Sequence, residues 1–85
     1  MTSIDELVTA LDANKQAAEE LTASIEASKQ AAEELVSAAT GLGAGGVIVA
    51  LQSAKEQIEQ AAAQNAATSD QLEQARNAAE AAKHA

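Results

Sequence analysis

The sequence predicts an all-α fold: an antiparallel two-helix hairpin with an alanine-rich coiled-coil seam, which joins a second copy in a four-helix bundle. Three observations predict it. All four glycines of the 85-residue chain lie between Gly41 and Gly46, at its midpoint. Apolar residues recur every seven positions in both arms, the period of a coiled coil. Proline is absent, and Ala, Leu, Glu, Gln and Lys, which lose little entropy in a helix, fill both arms. The expected organisation is a single domain over 1–85, with a helix over 3–39, a glycine-rich turn over 40–46 and a second helix over 47–83.

The first helix starts at a capping box. In Ser3-Ile4-Asp5-Glu6 the Ser3 hydroxyl is placed to accept from the Glu6 amide, and the Glu6 carboxylate to reach back to the Ser3 amide. From there Ile4, Leu11, Ala18, Ile25, Ala32 and Ala39 occupy heptad position a, and Leu7, Asn14, Leu21, Ser28 and Leu35 occupy position d. An internal repeat carries the same period: Asn14-Lys15-Gln16-Ala17-Ala18-Glu19-Glu20-Leu21 returns two heptads later as Ser28-Lys29-Gln30-Ala31-Ala32-Glu33-Glu34-Leu35. Thr40-Gly41 is the expected stop, with Gly41 at the left-handed position that ends many helices.

Among the turn residues Gly41, Gly43, Gly45 and Gly46, the run Gly41-x-Gly43-x-x-Gly46 also matches, formally, the fingerprint of dinucleotide sites. That fingerprint needs a strand before it. A heptad helix precedes it here, and Val47-Ile48-Val49 reads as the first turn of the second helix rather than a strand.

In the second arm Leu51, Ile58, Asn65, Leu72 and Ala79 take position a, while Val47, Ala54, Ala61, Thr68, Ala75 and Ala82 take d. Thr68-Ser69-Asp70 resembles a helix start, but the phase runs through it unchanged, which favours one continuous helix. Folding at Gly43 pairs a with d across the arms: Ile4 with Ala82, Leu7 with Ala79, Leu35 with Leu51. Large side chains then face small or polar ones, which draws two helices close together. Asn14, Ser28 and Asn65 in this seam read as devices that fix register.

The flanks differ. Lys15, Lys29, Lys55, Arg76 and Lys83 all fall at position e, and Asp5, Asp12, Glu19, Glu26 and Glu33 all at b. This flank reads as solvated, with i,i+4 pairs such as Lys15–Glu19 and Arg76–Glu80. Position g is smooth and uncharged, with Ala10, Ala17 and Ala31 on the first arm and Gln57, Gln64, Gln71 and Ala78 on the second. These seven are the candidate dimer face, because an a, d and g stripe is as wide as a four-helix bundle requires. Val8, Val36, Ile48 and Val49 have no obvious place in the seam.

Composition excludes several classes. A net charge of −8 with only five basic residues argues against nucleic acid as a partner. No apolar run approaches the roughly 20 residues of a membrane span, and Met1–Asp5 lacks the features of a secretory signal. A soluble, cytoplasmic protein is expected, with export by a route that reads no cleavable signal left open. There is no cysteine, so no disulfide staples so small a domain. Leu, Ile and Val make up under about a fifth of the chain, which approaches the composition of disordered proteins; helix propensity and period oppose that reading. No catalytic, cofactor or metal set is expected: His84 stands alone near the C-terminus, and the pairs Glu19-Glu20 and Glu33-Glu34 diverge around the helix with no histidine at ligand spacing.

An acidic hairpin of two helices joined by a turn containing Gly41-Leu42-Gly43 resembles the WXG-motif family of type VII secretion substrates and their relatives in actinobacteria. That family carries Trp-x-Gly in its turn and a tyrosine in its export signal, and this chain has neither tryptophan nor tyrosine. The resemblance implies a helical-hairpin interaction protein that dimerises. The expected function is thus a non-enzymatic assembly module whose partner is itself or another helical protein. The alternatives are a secretion-linked hairpin and an amphipathic binder of lipid surfaces, the latter disfavoured by acidic rather than basic polar faces.

Overall fold

A computed structural model describes residues 3–85; Met1 and Thr2, part of the stretch read against a secretory signal, lie outside the described residues. The fold is an antiparallel helical hairpin of α1 (Ile4–Leu42) and α2 (Gly45–Lys83), each 39 residues long. Its Cα envelope measures 63 × 17 × 14 Å.

The start of α1 follows from its cap. Ser3 is extended (φ −85°, ψ 168°) and its Oγ accepts from the Glu6 amide at 3.1 Å. Asp5 and Glu6 lie in the first turn, where carboxylates suit the positive end of the helix dipole. Helix α2 has no side-chain cap at Ala44 and no acid in its first turn. It depends instead on its short connection to α1.

That connection is tighter than expected. Thr40, Gly41 and Leu42 remain helical, Gly45 and Gly46 are already in α2, and only Gly43 and Ala44 lie between. The expected left-handed residue, Gly41, is corrected to Gly43, with φ 70°. The Gly43 amide donates to the Thr40 carbonyl at 3.2 Å and the Ala44 amide to the Ala39 carbonyl at 3.1 Å. This double closure satisfies the last carbonyls of α1 and reverses the chain. A glycine within a helix is disfavoured but tolerated, which is why α1 runs on through Gly41. Residues Thr68–Asp70 do not interrupt α2, and Val47–Val49 are helical.

Only Gly43 therefore requires a missing side chain. A Cβ at Gly41 would meet nothing within 4 Å, and the same holds at Gly43, where the positive φ is the obstacle. Gly41→Ala should stabilise the fold by about 0.5–1 kcal/mol through helix propensity, whereas Gly43→Ala should destabilise it by about 1–2 kcal/mol. Thermal melting of both variants checks the opposite signs.

Candidate interaction face

The heptad period holds, but its phase is rotated. In α1 Leu11, Ala18, Ile25, Ala32 and Ala39 at position a are buried or half-buried, and so are Val8, Lys15, Lys29 and Val36 at position e. In α2 the inward rows are again a (Leu51, Ile58, Asn65, Leu72, Ala79) and e (Ile48, Lys55, Ala62, Ser69, Arg76). The expected seam of a and d is thus corrected to a seam of a and e. Val8, Val36 and Ile48, which had no place in the expected seam, lie in this one.

Charge explains the rotation. Turning e inward lets Lys15, Lys55, Arg76 and Lys83 lay their stems over the seam and reach an acid at position b of the other helix. Lys15 pairs with Glu73, Lys55 with Glu33 at 3.4 Å, Arg76 with Asp12 at 3.0 Å, and Lys83 with Asp5 at 2.7 Å. These replace the expected pairs within a helix, of which Lys15–Glu19 and Arg76–Glu80 were examples; among the described residues the one i,i+4 pairing of ionisable side chains is His84 with Glu80 at 3.5 Å. A hydrogen bond and the charge of Glu73 raise the pKa of Lys15 above its ordinary 10.5, and Asp5 does the same for Lys83. Pairs this exposed contribute little stability each, but all four hold one arrangement of the arms.

One polar group fixes the register from inside. Asn65 is buried, and its Nδ2 donates to the Ala18 carbonyl at 2.9 Å and to Thr22 Oγ1 at 2.7 Å. Thr22 in turn donates to the Ala18 carbonyl at 3.0 Å. Asn14 and Ser28, expected to act alike, are exposed at position d, because the rotation carries their row out of the seam.

The same rotation leaves large apolar residues outside. Leu7, Leu21 and Leu35 at position d are 44%, 49% and 55% exposed, and Leu42 and Val47 at the turn are also exposed. Beside them the row at g is exposed throughout, including Ala10, Ala17, Ala31, Gln57, Gln64, Gln71 and Ala78. Because every cross-helix ion pair joins e to b, both b rows border one side of the seam. Both d rows therefore border the other side, and the d and g rows of the two helices form one continuous face.

All thirteen acids and all five bases occupy b, c, e or f, so this face carries no charge. No three of His, Cys, Asp and Glu among the described residues are grouped to hold a metal. His84 caps the end of α2 and is exposed. Glu19, Glu20, Glu33 and Glu34 are exposed as well. No helix among the described residues is long and apolar enough to cross a membrane. No protein-family model, curated protein or solved structure matches the chain.

The rotated register has a direct test. Two heptads from the Thr22–Asn65 contact, Val8 opposes Ala79, so Val8→Cys with Ala79→Cys should oxidise to an intramolecular disulfide. Leu7→Cys with Ala79→Cys should not, because Leu7 points out of the seam. Non-reducing mass spectrometry of both pairs distinguishes the two registers.

Proposed function

We propose that the protein is a non-enzymatic assembly module that associates with a second copy through the uncharged d and g face. The observation that carries this reading is the complete exclusion of charge from a face that exposes a row of leucines, in a chain of net charge −8. Exposed leucines grouped on one face among uncharged polar residues mark an interaction site.

Two considerations favour a second copy as the occupant. The hairpin alone buries three alanines and one asparagine among its described residues, and no side chain is fully buried, which is a meagre core for a chain of this size. The face is also large enough: an envelope 63 Å long and 14–17 Å wide offers a footprint of about 900–1,000 Å², above the roughly 800 Å² per partner of a standard stable interface. Pairing two such faces leaves the acidic flanks on the outside, where like charges are farthest apart. The product is a four-helix bundle.

Multi-angle light scattering should give twice the 8.6 kDa chain mass. Leu21→Glu with Leu35→Glu should return the monomer mass, because desolvating carboxylates in the interface costs several kcal/mol. The same charge added at exposed position f, as Gln16→Glu with Gln30→Glu, should leave the dimer intact. A monomeric parent chain would hand the face to a different helical partner.

A further inference from the structure

We infer that the two copies dock with their turns at the same end, so that the leucine row of α1 in each copy lies in the alanine row of α2 in the other. This rests on the self-association proposed above and specifies its symmetry. The two halves of the face differ in relief. Along d, α1 carries Leu7, Leu21 and Leu35 alternating with Asn14 and Ser28, whereas α2 carries Ala54, Ala61, Ala75 and Ala82 with Thr68 among them and Val47 by the turn. One helix presents a ridge and the other a trough.

A face-to-face pair of hairpins has two closed two-fold arrangements. In one the axis runs along the hairpin, the turns lie together, and α1 of each copy covers α2 of the other. In the other the axis crosses the hairpin, the turns lie at opposite ends, and each helix covers its own equivalent. The second arrangement sets α1 on α1, where each leucine meets either another leucine or the polar Asn14 and Ser28 of the same row, and sets the alanines of α2 on one another, which leaves a void between them. The first matches large to small along both lines, as close packing requires.

The axial heights agree with the first arrangement. The Thr22–Asn65 hydrogen bond sets the level of the two helices, and on that level Leu21 stands between the heights of Thr68 and Ala61. By the heptad period Leu7 falls between Ala82 and Ala75, and Leu35 between Ala54 and Val47. An axis along the hairpin preserves these heights, so Leu7 of one copy meets a gap between two alanines of the other, Leu21 one between Ala61 and Thr68, and Leu35 one between Ala54 and Val47. All helix neighbours are then antiparallel.

The chain has no cysteine, so a nitroxide on Gly41→Cys, which points away from the seam, reports the arrangement by electron–electron double resonance. With helix axes 8–10 Å apart, turns at one end put the two labels within about 35 Å. Turns at opposite ends put them apart by nearly the 63 Å length of the hairpin. A dimer with the long distance overturns this inference and leaves self-association standing; a monomer by light scattering, including one that floats with phosphatidylcholine vesicles, overturns both.

A packing variant gives an independent sign. Ala61 is exposed in the hairpin and leucine is a good helix former, so Ala61→Leu leaves the single chain folded, as circular dichroism would verify. With turns together the added side chain collides with the opposing leucine row, and the dimer dissociation constant should rise at least tenfold. Tighter association of Ala61→Leu would mean that it fills an alanine-on-alanine void, which contradicts the same-end arrangement.

Discussion

The hairpin depends on the close approach of two helices over the alanines at position a. Ala18, Ala32 and Ala39 are the buried apolar residues of the described chain, and a methyl group there lets the opposite backbone come near enough for Asn65 to reach the Ala18 carbonyl. Little apolar area is removed from water by such a contact, so the hydrophobic term is small for the length of helix involved. What the contact supplies is geometry. With the backbones close, the next row inward has to be one whose side chains extend along the surface, and the lysines and arginine at e do so.

Everything else about the surface follows from that choice of row. Four of the five basic side chains are paired with acids of the b rows across the seam, while the leucines at d are turned away from it. One side of the hairpin is therefore acidic and solvated. The other is neutral, with leucines along d of α1 and mainly alanines along d of α2. The division of labour is the inverse of an ordinary coiled coil, in which the leucines close the seam and the charges flank it.

Much of this was legible in the residues. The Ser3 cap on the Glu6 amide, the reversal within the glycine run, the two long helices and the neutral g row all follow from local chemistry and the heptad period, whereas the return bond from the Ser3 amide to the Glu6 carboxylate is not made. The phase of the seam did not, for a definite reason. Rows a with d and rows a with e alternate three- and four-residue spacings alike, so periodicity selects the period but not the partner row. Choosing the more apolar row gave leucines at d. The better signal was the combination of every basic residue at e, acids at b, and the unplaced Val8, Val36 and Ile48 sharing that same e row. The extent of α1 is also not legible, because Gly41 has the character of a terminator although the left-handed residue is Gly43, two positions later.

The central claim is that the neutral face completes a core the single hairpin lacks, so that association stabilises the fold. Thermal melting followed by far-UV circular dichroism across a hundredfold range of concentration tests it most directly. If the face is covered by a second copy, the melting temperature should rise by about 5–10 °C over that range, since mass action favours the folded dimer. A melting temperature independent of concentration would show that the hairpin is stable alone, and would contradict the account.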